Sequence, residues 1–508
     1  MHVVTCNPPF LKNYSRQSRS PCVAKSGTIY YAYYLAYAGV ALEAAGHKVS
    51  HLDCIIDDID FDASIDRIKE FSPAMVVIDT STPSIYSDLK FCEAIKKALP
   101  SCFVVVVGTF PSKATDELFK LRKQGGFDAA IIGEYEQAAS ELADCLQAGG
   151  DIKSILGLAI PSSSAPNKYI LTGDRPLCTE EYLDSLPFVS EFYLRQFGEE
   201  GIRRHFYASI NWPYIQILTA RGCPFKCTFC NIPSIGSYRA RSVDSVAREM
   251  AFIQSKMPFV KEVFIEDDTF PINKKRTVEL CEKLVEQKPT VTWSCNARVD
   301  THRDSLLAMK KAGCRLVCVG FESPTKSGLV GVIKKTTVDQ QFEFMDLARD
   351  VGVKVNGCFI LGLPGDDRES IANTVAYSKS LMPNTAQFYP HMLYPGTGSF
   401  KWAEESGLLS HKRWDEWITK EGYHNTPLNL AGLTNTDLLE LTDYARFQFY
   451  TNPRYLIRML GQSFRSPKEL QRMLIAGKTF FPLLAKYIYK HLFSRDIVNK
   501  ASLKKEIS

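Results

Sequence analysis

Several features are missing from the 508-residue sequence, and each absence narrows what the protein can be. No stretch approaches the ~20 apolar residues that a membrane-spanning helix needs. Residues 1–6 have the pattern of a buried strand and lack the basic and apolar regions of a secretory signal peptide, so we expect a cytoplasmic protein. Residues 1–150 contain neither the Gly-x-Gly-x-x-Gly fingerprint nor a P-loop, which argues against a nucleotide-binding domain there.

The composition shows no strong bias. Apolar residues make up 45% and charged residues 23% of the chain, which excludes wholesale disorder. The net charge of +5 is too small to indicate a nucleic-acid partner, and no RNA-binding module is evident. Residues 431–508 hold 13 lysines and arginines against 6 acidic residues, and residues 480–490 are aromatic, aliphatic and basic. This C-terminal region suits peripheral contact with a membrane or an apolar ligand, or a helix packed on the rest of the protein.

Residues 1–150 alternate short apolar strands with helical stretches. The predicted strands are residues 2–6, 48–54, 74–80, 102–108 and 127–133, and the predicted helices are residues 29–45, 61–70, 85–99, 114–123 and 135–146. Strands that are apolar throughout predict a parallel sheet covered on both faces, which is a doubly wound α/β domain. Ligands of such a domain lie at the carboxyl ends of its strands. Here those ends carry Asn7, Ser81, Thr82, Gly108, Thr109, Gly133 and Glu134.

Three further regions follow this domain. Residues 151–212 are predicted to be an irregular linker and connector. Residues 213–395 form a second βα series, with strands at residues 214–219, 262–266, 290–295, 315–320, 354–361 and 386–392. Six such units predict a partial (β/α)6 barrel whose working face is again the carboxyl edge. Residues 396–508 are predicted to be helical, with helices at residues 434–450, 453–461, 467–476 and 478–493.

Three of the 15 cysteines are tightly grouped after the first strand of the second series: Cys223, Cys227 and Cys230. Thiolates are the soft ligands that hold iron–sulfur clusters. A [4Fe–4S] cluster held by three cysteines has one iron open to another ligand, which indicates chemistry rather than electron storage. A structural zinc site would need a fourth Cys or His, and the nearest candidate, His205, lies eighteen residues upstream. Zinc and a coincidental grouping are the alternatives.

The CxxxCxxC pattern, with Phe229 before the third cysteine and six βα units behind it, resembles the radical SAM superfamily. The resemblance implies that the open iron binds the amino and carboxylate groups of S-adenosylmethionine. It also implies that reduction of the cluster cleaves the sulfonium to a 5′-deoxyadenosyl radical, which abstracts hydrogen. A reducing partner such as flavodoxin or ferredoxin would supply the electron.

The same resemblance suggests roles for residues at the other strand ends, carried over by their position in the series. Glu266, Asp267 and Asp268 would receive the methionyl amine, although the family commonly has Gly-Gly-Glu here and the acids would equally suit a helix cap. Ser294 and Asn296 would bind the ribose and Arg298 the carboxylate. Glu322 would meet a ribose hydroxyl or the amine. Each of these polar groups is also compatible with a solvated loop.

A doubly wound domain directly before such a barrel resembles the cobalamin-binding radical SAM enzymes, and this resemblance covers nearly all of residues 1–395. It implies a cobalamin between the two carboxyl edges, held by the strand-end residues of the first domain. The sequence lacks the D-x-H-x-x-G signature of cobalamin mutases, and His2, His47 and His51 do not fit it. We therefore expect no histidine as the lower ligand of cobalt.

These resemblances predict a cobalamin-dependent radical SAM enzyme that removes hydrogen from an unactivated carbon of a small molecule and adds a methyl group from methylcobalamin, as class B radical SAM methyltransferases do. Residues 237–242 and the overall layout also resemble hopanoid-associated radical SAM proteins and anaerobic magnesium-protoporphyrin cyclases. Those members imply rearrangement or oxidative cyclisation of a lipid-like or tetrapyrrole substrate. A non-catalytic corrinoid or iron–sulfur sensor is a further alternative. Tyr389 and His391 are candidates to face the substrate, or else pack within the barrel.

Overall fold

The computed structural model describes residues 1–463 apart from residues 124, 164, 166, 233, 234 and 412, together with the single residues 477 and 485. This part of the chain contains two large sheets, a two-stranded ribbon and a helical C-terminal region. The predicted helices at residues 467–476 and 478–493, and the basic aromatic segment at residues 480–490, lie outside the described residues apart from residue 485.

The first sheet begins with five parallel strands, and their apolar runs are buried on both faces. They are β1 (His2–Asn7), β2 (Lys48–Asp53), β3 (Met75–Thr80), β4 (Phe103–Gly108) and β5 (Ala129–Ile131). The helices between and after them are α1 (Tyr33–Ala44), α2 (Phe61–Phe71), α3 (Ile85–Ala98), α4 (Thr109–Lys113), α5 (Thr115–Leu121) and α6 (Glu136–Ala148). The predicted doubly wound domain is confirmed.

The prediction that residues 151–212 are irregular is wrong. Two strands, β6 (Leu158–Pro161) and β7 (Tyr169–Leu171), add to the first sheet in antiparallel fashion and give the order β2-β1-β3-β4-β5-β6-β7. The helices α7 (Glu180–Ser185) and α8 (Val189–Arg204) follow. The two strands are only four and three residues long, which is too short for an alternating pattern to be recognised in the sequence. The helical pattern of α8 is also hard to recognise, because Gly198 interrupts its helical dihedral angles.

The second sheet contains six parallel strands that pair in chain order, so each βα unit lies beside the next. They are β8 (Tyr214–Ile217), β11 (Glu262–Ile265), β12 (Thr292–Ala297), β13 (Cys314–Glu322), β14 (Lys354–Leu361) and β15 (Thr385–Pro390). A ribbon of β9 (Ala220–Arg221) and β10 (Arg239–Ala240) follows β8. The helices are α9 (Val243–Lys256), α10 (Lys274–Glu286), α11 (Arg303–Lys311), α12 (Lys326–Gly331), α13 (Val338–Val351) and α14 (Arg368–Leu381). The curvature of this sheet into a partial barrel stays a prediction.

The C-terminal region continues with α15 (Gly398–Glu405), α16 (Asn435–Tyr450) and α17 (Pro453–Ser463), which confirms the two helices predicted at residues 434–450 and 453–461. Within the part of the chain that the structure describes, no helix has the length and apolar character needed to cross a bilayer.

The two sheets share one hydrophobic core, in which α1 is the central element. Nine of its 12 residues are buried, and such all-round apolarity is typical of a helix enclosed by protein. The hydroxyl of Tyr31, just before α1, donates to the carbonyl of Tyr214, and the hydroxyl of Tyr37 donates to that of Leu218. These contacts join the first domain to β8, the strand that leads into the cysteine loop.

Candidate functional site

The three grouped cysteines lie on one loop between β9 and β10. The chain enters this loop at Gly222, whose φ of 80° is a left-handed conformation that glycine adopts without strain. The Gly222 amide donates to Asp268 at 3.1 Å, and the Cys230 amide donates to the carbonyl of Cys227 at 3.1 Å. All three cysteines are partly exposed, whereas ten of the other twelve are buried. The loop therefore presents its thiols on an ordered backbone.

The chemistry of this loop fits an iron–sulfur cluster. Burial raises the pKa of Cys227 and raises the pKa of Cys230 to about 12. Lys334 lowers the pKa of Cys227 and Arg19 lowers that of Cys230, so each thiol has a nearby cation that favours the thiolate, the form that iron binds. Among the described residues, no three His, Cys, Asp or Glu side chains converge on a single metal ion. In a [4Fe–4S] cluster each cysteine instead binds a different iron.

Side chains from the ends of β12 and β13 support the cysteine loop. The Arg298 guanidinium stacks 3.5 Å from the centre of the Phe225 ring and donates to the carbonyl of Lys334 at 3.2 Å. The Lys334 ammonium donates to Glu322 at 2.6 Å and lies 5.9 Å from the Phe229 ring. Glu322 has a φ of 64°, a strained conformation for a buried glutamate. Arg298, Glu322 and Phe229, all expected at the cofactor site, are thus joined around this loop.

The three acids after β11 have different environments. Asp267 accepts from the amide and the hydroxyl of Thr219 at 2.6 and 2.5 Å, so its carboxylate fixes the end of β8. Asp268 accepts from the cysteine loop at Gly222. Glu266 is buried, accepts from Arg19 at 3.4 Å through Oε1, and has no hydrogen-bond partner for Oε2 among the described residues. Burial raises the pKa of Glu266 to about 7. An unsatisfied buried oxygen of this kind fits an N–H donor of a bound ligand.

The two residues of β12 that were expected to bind ribose separate in the structure. Asn296 lies near the carboxyl end of the strand and donates to the carbonyl of Asp267 at 3.0 Å, so it belongs to the site. Ser294 is fully buried in mid-strand, and its hydroxyl donates to Glu262 at the start of β11, beside Arg315. The expectation for Ser294 is therefore corrected, because its hydroxyl belongs to a buried polar cluster rather than to the carboxyl edge.

Tyr389 and His391 also differ. Tyr389 is partly exposed. Burial raises the pKa of Tyr30, and the nearby Glu266 and Tyr389 raise it further, so these three side chains lie close together. His391 is buried, and its ring lies 3.1 Å from the carbonyl of Gly362. Burial lowers the pKa of His391 to about 4, so it is neutral at physiological pH. Tyr389 therefore remains a candidate to contact substrate, whereas His391 is buried in the protein.

At the carboxyl edge of the first sheet, Asn7, Ser81 and Thr82 are buried. The Arg16 guanidinium donates to Asn7 at 2.8 Å, and the hydroxyl of Ser81 lies 2.9 Å from that of Tyr14. Both Arg16 and Tyr14 belong to the β1–α1 loop, residues 8–32. This loop therefore covers part of the edge that the sequence assigned to cobalamin.

The rest of this edge is more open. Gly108 and Thr109 are partly exposed at the start of α4. The Ser112 hydroxyl donates to the carbonyl of Gly108 and accepts from the amide of Gly133, both at 2.9 Å, so one side chain joins the two strand ends. A Cβ atom added at Gly133 would meet nothing within 4 Å. Exposed backbone with free space in front of it fits the close approach of a flat cofactor.

Glu134, assigned by sequence to cofactor binding, has a different set of contacts. Its two carboxylate oxygens accept from Arg239 of β10, both at 2.8 Å, and this pairing lowers the pKa of Glu134 to about 2 despite its burial. Two residues later, Glu136 forms a buried ion pair at 2.5 Å with Arg221 of β9. We call these two pairs the ribbon clamp. The clamp fixes both strands that flank the cysteine loop to the first domain.

Sequence reasoning missed the residues that bring the two carboxyl edges together. Arg19 of the β1–α1 loop reaches the second sheet, where it contacts Glu266 and lies 3.5 Å from Asp268. Burial lowers the pKa of Lys113 of α4, and Cys230 is close enough to raise that pKa in the opposite direction. The polar, basic run at residues 15–20, directly after a strand end, was the one available signal.

Two family models match the chain, and they match the two sheets separately. The model of the Radical SAM superfamily matches residues 217–377, and the model of the B12 binding domain matches residues 19–143. The first match includes all three cysteines and the acidic segment. The second includes the strand ends of β3, β4 and β5.

Curated relatives and a solved structure agree with these models. An uncharacterized methyltransferase of Pyrococcus horikoshii is 29% identical over 420 residues, which cover 81% of this chain and 86% of the relative. The anaerobic magnesium-protoporphyrin IX monomethyl ester cyclase of Rubrivivax gelatinosus is 26% identical and covers 72% of this chain and 65% of the relative. The radical S-adenosylmethionine methyltransferase TsrM of Kitasatospora setae, with cobalamin and a [4Fe–4S] cluster bound, has the same fold: the TM-score is 0.68 at 16% identity, over 95% of this chain and 99% of that one.

Proposed function

The chain belongs to the radical SAM enzymes that carry a B12-binding domain, and we propose that it is a C-methyltransferase acting on an unactivated carbon of a small molecule. When bound, the [4Fe–4S] cluster with S-adenosylmethionine supplies a hydrogen-abstracting radical, and methylcobalamin supplies the methyl group. The protein's own residues bind and orient these groups and the substrate.

Cys223, Cys227 and Cys230 hold the cluster in this proposal. Glu266 and Asp268 accept N–H hydrogen bonds from the amino group of S-adenosylmethionine, because these two acids contact Arg19, whereas Asp267 is held by the end of β8. Gly108, Thr109 and Gly133 form the open part of the corrinoid site. Tyr389 and the partly exposed Gln387 and Cys358 face the substrate from β14 and β15. The buried strand-end residues support the corrinoid site without being exposed at it; they are Asn7, Ser81, Thr82 and Glu134.

The observation that carries this proposal is the reach of the β1–α1 loop. Arg16 contacts Ser84 and Asp88 at the first carboxyl edge, and Arg19 contacts Glu266 at the second. Three residues span at most about 10 Å of backbone. The two contact points therefore lie within reach of three residues of backbone and two arginine side chains, which suits transfer between cofactors bound at each edge.

Labelled methyl transfer tests the proposal. Anaerobically reconstituted enzyme is loaded with trideuteriomethylcobalamin and incubated with trideuteriomethyl-labelled S-adenosylmethionine, a reductant and small-molecule extracts of the source cells. We expect a product that carries the labelled methyl group, detected by mass spectrometry, and none from the Cys227→Ala variant. Formation of 5′-deoxyadenosine with no labelled product would contradict methyl transfer.

Oxidative cyclisation or rearrangement of a lipid-like or tetrapyrrole substrate is the second candidate, supported by the similarity to the Rubrivivax cyclase. It predicts an unlabelled product of altered ring structure in the same experiment. Either reaction requires a one-electron donor such as flavodoxin or ferredoxin. Peripheral membrane contact through the basic C-terminal region would suit a lipid-like substrate in particular.

A further inference from the structure

Apolar side chains are exposed next to the cysteines, both on the cysteine loop itself and at the end of α12. Val330, near the end of α12, and Ile333, in the turn that follows it, are 66% and 44% exposed, and Ile235 of the cysteine loop is 36% exposed. The Ile333 amide donates to the carbonyl of Val330, so these two lie on one turn. Ile235 pairs with Cys223 through the backbone. Exposed apolar groups gathered at one place mark an interaction site more often than scattered ones do.

Lysines surround these apolar groups. Lys226 lies within the cysteine loop, Lys326 lies one helical turn before Val330 on α12, and Lys335 lies two residues after Ile333; all three are exposed. None of them has an ion-pair partner among the residues that the structure describes. Unpaired lysines around an apolar centre form a surface that is complementary to an acidic protein.

This surface is adjacent to Cys227. The Cys227 sulfur lies 3.9 Å from the carbonyl of Ile333, and Lys226 lies over Gly236, where an added Cβ would be 3.5 Å from its Cε. Cys230, by contrast, is influenced by Asp268 and by Arg19 of the β1–α1 loop, so it is on the inner side of the cysteine loop. The inner side contains the acidic segment, whereas Cys227 is next to the turn that carries the exposed Ile333 and Lys335.

We propose that Lys226, Lys326, Lys335, Ile235, Val330 and Ile333, which we call the lysine surface, dock a small acidic one-electron carrier protein. The proposal rests on the proposed function, because the chain needs this electron only if the cysteines hold a cluster. In the docked complex the carrier loses one electron and the oxidised cluster gains it; no atom is transferred. Electrons enter on the Cys227 side, while S-adenosylmethionine and substrate bind on the inner side.

Charge reversal tests the lysine surface. Lys226, Lys326 and Lys335 are changed together to Glu, and the control changes Lys153, Lys256 and Lys311, three exposed lysines away from the cysteine loop, to Glu with the same change of net charge. Cluster reduction is followed by stopped-flow absorbance with flavodoxin hydroquinone and, separately, with dithionite. We expect reduction by flavodoxin to be slower by at least about tenfold in the test variant and close to wild type in the control. Reduction by dithionite, which needs no docking, should be similar in all three proteins.

Equal rates with flavodoxin in the test variant and wild type would overturn the proposal. So would a wild-type dimer that the test variant abolishes, because the lysine surface would then join two copies of this chain. If the triple variant takes up less iron than wild type, Lys326→Glu alone, outside the cysteine loop, provides the same comparison. Cleavage of S-adenosylmethionine by the wild-type protein with dithionite tests the proposed function separately. Failure of the docking proposal can therefore be distinguished from failure of the proposed function.

Discussion

At the scale of single residues, Glu266 illustrates how burial sets the chemistry of the site. Its pKa is raised to about 7, first because burial disfavours the carboxylate, while Arg19 acts in the opposite direction. A raised folded-state pKa means that this group contributes stability to the unliganded protein below the unfolded-state pKa and that the contribution is lost as the pH rises through about 7. A bound amino group would offset that loss by donating a hydrogen bond to the carboxylate, which is a charge-assisted contact.

The binding of S-adenosylmethionine should therefore depend on Glu266 and on pH. For wild-type protein with its cluster, we expect affinity to increase as the pH rises through about 7, because the carboxylate accepts N–H hydrogen bonds from the amino group more strongly than the neutral acid does. Glu266→Gln should bind about tenfold more weakly above that pH and show little pH dependence. Calorimetric titration measures both, with Glu279→Gln on the exposed face of α10 as the control. Equal affinity of E266Q and wild type at high pH would argue against the assignment.

Gly320 gives a steric test of the support beneath the cysteine loop. An added Cβ would lie 2.1 Å from Oε1 of Glu322 and 2.8 Å from the ammonium of Lys334. Gly320→Ala should lower the free energy of unfolding by about 1–3 kcal/mol through overpacking, and should reduce iron content after reconstitution. Gly461→Ala is the matched control, since a Cβ there would meet nothing within 4 Å. Denaturant unfolding and iron analysis measure the two effects, and a G320A variant that matches the control would contradict this role.

At the scale of elements, the ribbon clamp connects the two cofactor sites. Arg221 and Arg239 are directly paired across the β9–β10 ribbon, and like charges in this position repel. Glu136 and Glu134, both at the end of β5 and the start of α6, offset that repulsion. A short ribbon with two opposed arginines thus depends on the first domain for its position, and the cysteine loop lies between its strands.

Charge exchange tests the clamp. Glu134→Arg leaves like charges facing each other in a buried position and should lower the free energy of unfolding by about 3–5 kcal/mol. The same variant should retain less cobalamin. Adding Arg239→Glu should recover part of the lost free energy of unfolding and part of the cobalamin retention, because the two exchanged charges again form a pair. The exposed pair Arg67 and Glu70 on α2 is the control, where reversal should cost about 0–1 kcal/mol. A double variant no better than either single variant would contradict the clamp.

Most elements were predictable because their signals are local. Strands β3 and β4 are almost entirely apolar, and the structure has β1 to β4 and β14 within about two residues of the predicted bounds. The predicted helix at residues 114–123 is confirmed as α5, but the short helix α4 before it, which ends at Lys113, was missed. Strands β6 and β7 were missed because four and three residues are too few to show the alternation of apolar and polar residues that is typical of a strand. The cysteine loop was found because its spacing is local too.

At the scale of the whole molecule, the β1–α1 loop contacts all three parts of the chain. Arg16 is buried against Asp88 of the first domain, Arg19 reaches the second sheet, and Lys25 pairs with Asp443 of α16. None of these partners is near in sequence, so no local pattern could have identified them. The acids, the cysteines and Arg298 of the site were predictable by position, but Arg19, Lys113 and Lys334 were not.

Arg16 should therefore stabilise the closed arrangement of the site. Arg16→Met leaves Asp88 buried without its cation and should lower the free energy of unfolding by about 3–5 kcal/mol. The β1–α1 loop should then be cut by protease well before the rest of the protein. Arg19→Met, at a side chain that is 40% exposed, should destabilise the fold much less. Limited proteolysis and thermal unfolding measure these effects; resistance of R16M equal to wild type would contradict them.

The most direct test of the central claim is the electron paramagnetic resonance spectrum of the anaerobically reconstituted, dithionite-reduced protein, with and without S-adenosylmethionine. A cluster bound through Cys223, Cys227 and Cys230, with one iron open, should give a reduced-cluster signal that changes when S-adenosylmethionine is added, and the triple Cys→Ser variant should give none. A wild-type signal that S-adenosylmethionine leaves unchanged, or an equal signal from the triple variant, would contradict the account.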